Sequence, residues 1–90
     1  MTNVKFIEFA ISEVRKYVID HLDKSDGIPV FNIFVVWSYQ TQRKHKCFIG
    51  TTLLDGMYYE CTMLDGDKGK LYLNAYKKIE NKKIIYKSEV

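Results

Sequence analysis

The residues able to do chemistry are few and scattered. The string "DGDKG" (Asp65, Gly66, Asp67, Lys68, Gly69) places two carboxylates at alternate positions, as calcium loops do. It lacks the third ligand and the late bidentate glutamate of a full loop, and Lys68 sets a cation among the carboxylates. Turn chemistry accounts for it better: Asp and Gly are the residues a hairpin bend requires. The two cysteines, Cys47 and Cys61, need two further ligands to hold zinc, and His21 and His45 lie in separate elements. A cysteine nucleophile needs a base within hydrogen-bond reach of its thiol. His45, two residues before Cys47, belongs to the charged string "RKHK", where a solvated imidazole is expected. His21, between Asp20 and Asp23, reads as a cation at a helix C-terminus. No phosphate loop, serine elbow or paired catalytic acid is present. The expectation is therefore a protein with no catalytic residue, no metal site and no cofactor.

The binding residues are more numerous. Arg43, Lys44, Lys46, Lys77, Lys78, Lys82 and Lys83 are candidate nucleic-acid contacts, with Tyr39, Tyr58, Tyr59, Tyr72, Tyr76 and Tyr86 available to stack on bases. Residues 1–40 carry four Lys/Arg against five Asp/Glu, and residues 41–90 carry ten against six. That asymmetry permits an acidic partner without demanding one. The two lysine clusters belong to turns at opposite ends of a sheet, roughly 20–25 Å apart for seven-residue strands, which disfavours one continuous footprint.

These residues are positioned by elements whose periods are plain. Val4, Ile7, Ile11, Val14, Val18 and Leu22 recur at spacings of three and four, predicting an amphipathic helix over about 3–23. Thr2 or Asn3 is positioned to cap it. "DKSDGIP" ends it, through Gly27 and Pro29. The period then shortens to two. Strands are expected at about 30–41, 46–54, 57–64 and 70–79, with 83–88 as an optional fifth, while 74–81 also suits a helical period. The first strand is expected to show Phe31, Ile33, Val35, Trp37 and Tyr39 on one face and Phe34 and Val36 on the other. Being apolar on both sides, it reads as interior to the sheet. The fold class is α+β, one N-terminal helix packed on an antiparallel meander of four to five strands.

Ninety residues form one domain, 47% apolar and 28% charged, with net charge +3. Lys5, Glu8 and Glu13 would interrupt a secretory signal core, and the uncharged run from Gly27 to Gln42 is too short to span a bilayer. A cytoplasmic, reduced protein with no membrane association is expected.

Asp55-Gly56 between two apolar runs predicts a two-residue type I′ hairpin. That register opposes Leu54 to Met57, Cys61 to Gly50 and Cys47 to Leu64, so the two sulfurs fall on opposite faces and cannot form a disulfide. One face then carries Phe48, Gly50, Thr52, Leu54, Met57, Tyr59, Cys61 and Met63, and is the face expected beneath the helix. The other carries Cys47, Ile49, Thr51, Leu53, Tyr58, Glu60, Thr62 and Leu64. One helix cannot cover both sides, and an uncovered apolar patch marks an interface. Ile49, Thr51, Leu53, Tyr58, Glu60, Thr62 and Leu64 are therefore the candidate protein interface, for a second copy or another protein.

The strings "VVW" (Val35–Trp37), "TTLLDGMYYE" (Thr51–Glu60) and "GDKGKLYLNAYKKIEN" (Gly66–Asn81) resemble a family of small uncharacterised proteins encoded in phages and prophages of Gram-positive bacteria. The resemblance covers the middle and C-terminal half and carries over no functional residue. It implies an accessory protein in the bacterial cytoplasm that binds, and through binding inhibits, a host or anti-phage defence protein. The alternative is the nucleic-acid or nucleotide binder described above.

Overall fold

A computed structural model describes residues 1–66 and 68–87. The Thr2 hydroxyl accepts the Lys5 N–H at 3.2 Å, satisfying a free donor and starting helix α1, Asn3–His21. The chain turns at Gly27, which adopts φ +90° and donates its N–H to the Lys24 carbonyl. Four strands follow: β1 Ile33–Gln40, β2 Lys44–Thr51, β3 Met57–Leu64 and β4 Tyr72–Lys77. They pair antiparallel in the order β1-β2-β3-β4, the expected meander, and α1 lies across one sheet face. No strand forms over 83–87, the described part of the optional fifth element, and 74–77 are strand rather than helix. Position 88 lies outside the described residues.

The helix is rotated relative to the expected stripe. Phe6, Ala10, Val14 and Val18 are buried at i, i+4 spacing, while Val4 is exposed. Bulk decides this: the Phe6 ring fills the layer between helix and sheet. Against these residues pack Cys47 and Ile49 of β2, Tyr59, Cys61 and Met63 of β3, and Phe31 ahead of β1. The Arg15 guanidinium lies 5.5 Å from the centre of the Phe31 ring and covers it from the helix side.

Two irregularities set the faces of the sheet. The β1–β2 pairing slips between Val35 and Trp37. Ile33 pairs Thr51, and Val35 pairs Ile49. Beyond the bulge Trp37 pairs Phe48, so Trp37 and Tyr39 join Phe34 on the face away from the helix, not Ile33 and Val35 as strict alternation requires. β1 is also an edge strand, not an interior one.

The second irregularity is the β2–β3 connection. It is not the two-residue turn expected at Asp55-Gly56 but a five-residue loop, Thr52 to Gly56. Side chains there capture the backbone. Thr51 Oγ1 accepts from the Leu53 N–H at 3.2 Å, and Asp55 Oδ1 accepts from the Met57 N–H at 3.0 Å. Thr52 is tied to β1, its hydroxyl accepting from the Asn32 N–H at 2.8 Å and its N–H donating to the Asn32 carbonyl. Such local bonds compete with a tight turn. The resulting register opposes Cys47 to Cys61, Ile49 to Tyr59 and Gly50 to Tyr58. That is three positions from the expected one, and an odd shift turns every β2 side chain to the other face relative to β3.

Candidate protein-docking face

The corrected register divides the predicted interface in two. Tyr58, Glu60, Thr62 and Leu64 of β3 lie on the face away from the helix, as a docking role requires. Ile49 does not: it is fully buried beneath α1. Thr51 pairs Ile33 at the covered end of β2, and Leu53 packs against the core. None of these three is available to a partner on the open face. Their places are taken by Phe34, Trp37, Phe48 and Tyr76.

Together these residues build an aromatic surface from all four strands. Phe34 (β1), Gly50 (β2), Tyr58 (β3) and Tyr76 (β4) form one row across the sheet. Trp37, Phe48, Glu60 and Asn74 form the next, and Tyr39, Lys46, Thr62 and Tyr72 the third. Trp37 stacks on Phe48 with ring centres 5.8 Å apart and planes 11° from parallel. Phe48 stacks diagonally on Tyr58 at 5.5 Å and 8°. Gly50 is a packing requirement: an added Cβ would sit 2.7 Å from the Phe34 ring, which lies over it. Trp37 is 43% exposed and Tyr76 48%, so the rings form a solvated patch rather than a second core.

Charge on this face is nearly self-compensated. Lys46 Nζ and Glu60 Oε2 lie 3.6 Å apart on the two central strands. Of the seven candidate nucleic-acid contacts, Lys46 is thus engaged in an ion pair. Arg43 and Lys44 belong to the β1–β2 turn end, and Lys44 pairs Leu64. Lys77 pairs Met57 at the other end of β3, with Lys78 beyond it and Lys82 and Lys83 in the C-terminal stretch. Of these seven, Lys46 stands within the aromatic rows and Lys44 lies on the same face just beyond the third, while the others lie in the turn, at the far strand end or in the C-terminal stretch.

The groups that would serve catalysis are placed elsewhere. Cys47 and Cys61 face each other across β2 and β3, both free and both fully buried, in place of the opposite-face arrangement that the tight hairpin predicts. The hydrogen bond between the thiols holds Cys47 below the ordinary thiol range, and the same bond, reinforced by burial, drives Cys61 far above it. His45 is not a solvated tip residue. Its ring stacks on Phe6 at 5.2 Å, and its Nδ1 lies 3.2 Å from Asn3 Oδ1, so the helix fixes the imidazole against the sheet. His21 sits at the helix end, where its Nδ1 meets the Tyr17 carbonyl at 2.8 Å. Among the described residues no group of three or more His, Cys, Asp or Glu side chains converges to hold a metal, and no helix is long and apolar enough to cross a membrane.

Residues 7–86 match a family of unknown function. The chain belongs to that family, DUF6275. No curated protein and no solved structure matches it. The match takes in α1 from its second turn, all four strands and the whole of the aromatic face. In this DUF6275 chain the signal for that face was present in sequence as Phe34, Trp37, Phe48 and Tyr58, but the bulge at Val36 and the loop at Thr52–Gly56 had to be known before they shared a side.

Proposed function

We infer that the chain is a non-enzymatic binding protein and that its open sheet face docks another protein. The observation that carries this is the ring geometry. Trp37, Phe48 and Tyr58 stack in a row across three strands, so both faces of Phe48 and one face each of Trp37 and Tyr58 are used internally. A single-stranded nucleic acid needs ring faces free to receive bases and a basic groove tracking the phosphates. Here the central rings use ring faces on one another, Lys46 is paired, and the remaining candidate cations lie at or beyond the strand ends. Partly exposed aromatic rings with a neutral charge pair among them suit the apolar core of a protein–protein interface, which is rich in Trp, Tyr and Phe.

The finer reading is that the target is a bacterial host or anti-phage defence protein whose activity the chain inhibits in the cytoplasm. Its support is the resemblance of the "TTLLDGMYYE" and "AYKK" regions to phage and prophage proteins. Affinity capture from bacterial lysate tests both levels. A specific protein retained after nuclease treatment, and lost with Tyr58→Lys, is the expected result. Capture that disappears with nuclease, together with oligonucleotide binding that falls steeply with salt, would replace this reading by the nucleic-acid one.

A further inference from the structure

We propose that the cleft between the C-terminal end of α1 and the β3–β4 pair binds a free α-amino acid with an aliphatic side chain, its ammonium against Asp55 and its carboxylate against Lys77. The cleft lies on the helix side of the sheet, so the proposal stands apart from the docking role of the open face.

A buried phenol leads to it. Tyr59 is 2% exposed and lines a cleft of about 260 Å³. Among the described residues its hydroxyl has no hydrogen-bond partner. A buried hydroxyl left unpaired is costly, and such a group in a native fold calls for an explanation. The Tyr59 ring stands edge-on to Tyr17 with centres 5.7 Å apart, so packing explains the ring but not the hydroxyl. Burial raises this phenol, and the Asp55 carboxylate raises it further, which places the hydroxyl near that carboxylate. Asp55 lines the same cleft.

The rest of the lining selects the ligand. Lys77 faces the cleft as Asp55 does, and among the described residues neither belongs to an ion pair. Asp55 is held in place, because its Oδ1 accepts the Met57 N–H at 3.0 Å. Opposite charges kept apart on one cleft suit a ligand that carries both. His21 is committed to Tyr17, its ring stacked at 4.0 Å and its Nδ1 at that residue's carbonyl. The last turn of α1 borders the cleft, and its unpaired carbonyls form the negative end of the helix dipole. An ammonium offers three donors, one each for the Asp55 carboxylate, the Tyr59 hydroxyl and a helix carbonyl. Lys77 is then left for the carboxylate, and a single cation beside Asp55 leaves no excess positive charge for a phosphate. Val18, Leu22 and Met57 form an aliphatic wall. The volume lies below the roughly 300–1,000 Å³ of drug-sized pockets and far above the roughly 10–15 Å³ that one water needs, so one small molecule fits.

Chemical-shift titration of the isotope-labelled full chain tests the proposal, with leucine and two analogues that each lack one of its charges, isoamylamine and isocaproate. Leucine should give saturable shifts at Met57, Tyr59 and Lys77 and none at the Trp37 indole. Each analogue should bind at least about tenfold more weakly. Asp55→Asn, which keeps an oxygen for the Met57 N–H, and Lys77→Gln should each weaken leucine by roughly tenfold. Tyr59→Phe should weaken it by roughly threefold to tenfold while the chain folds at least as well, since an unpaired hydroxyl is removed. Circular dichroism of each variant checks that the helix is kept. No shift at about 20 mM leucine would overturn the site. Equal binding of isoamylamine would overturn the assignment to an amino acid. Leucine affinity unchanged in both Asp55→Asn and Lys77→Gln would put binding elsewhere and overturn the site as well. Lysate capture lost with Tyr58→Lys is read separately, so failure here leaves the docking reading standing.

Discussion

The two faces of the same sheet are built on different plans. Beneath the helix, Cys47, Ile49, Tyr59, Cys61 and Met63 meet Phe6, Ala10, Val14 and Val18, and no charged or polar residue is buried among them. On the other side stand the larger rings, Phe34, Trp37, Phe48, Tyr58 and Tyr76, with the Lys46–Glu60 pair among them. The covered face mixes small and aliphatic groups with the rings of Phe6 and Tyr59, all packed between helix and sheet. The open face uses rings that pack sideways against each other and stay partly exposed. The buried core and the solvated rings thus lie on opposite sides of one four-stranded layer.

The contrast is sharpest in truncation. Phe6→Ala should cost about 3–5 kcal/mol in urea unfolding and Ile49→Ala about 2–5 kcal/mol, from lost burial and the cavities left behind. Tyr76→Ala should cost under about 1 kcal/mol. Equal losses on the two sides would erase the distinction. Gly50 is where the open face constrains the fold. Gly50→Ala drives a methyl into the Phe34 ring and should cost about 1–3 kcal/mol, with Phe34→Ala in the same chain recovering part of it. An undiminished penalty in the double variant would show that the clash lies elsewhere.

Thr2→Ala removes the hydrogen bond to Lys5 at the start of α1 and should cost about 1 kcal/mol, with partial rescue by Ser or Asp. The Lys46–Glu60 pair is partly exposed, so a double-mutant cycle should give about 0.2–1 kcal/mol, shrinking with added salt. A pair worth several times that would mean the face is already desolvated. Last is a pH effect absent near neutrality. Burial, aided by the Asp55 carboxylate and Tyr17, raises Tyr59 above its ordinary value of 10.0. A raised value means that the folded state favours the protonated phenol. The contribution is complete below pH 10 and lost as pH rises through the folded value. Alkaline titration should therefore destabilise the protein less in Tyr59→Phe than in the parent chain, as read by unfolding midpoints at rising pH.

Much of the architecture was legible because it is local. The helix start at Thr2, its end before Gly27, and four strands in meander order follow from period and turn residues. The face assignments were not local. Asp55-Gly56 carries a strong hairpin signal, but Thr51, Thr52 and Asp55 each hold a backbone N–H through a side-chain oxygen, and Asn32 anchors Thr52 from the segment just ahead of β1. Those bonds lengthen the loop and move the register by three. One consequence is that Cys47 and Cys61, which the tight turn separates, are directly opposed. Another is that only the β3 half of the expected interface, Tyr58 to Leu64, is on the open side. Val36 hides a second fact of this kind: nothing in "FVVWSY" marks which residue bulges, yet that residue sends Trp37 outward.

What the sequence determined by itself is the succession of one helix and four short strands, since hydrophobic period, capping residues and glycine turns act within a few positions. Which side chains share a face was decided only by tertiary structure. In a sheet one inserted residue or an odd slip reverses inside and outside, and its placement depends on hydrogen bonds between strands far apart in the chain.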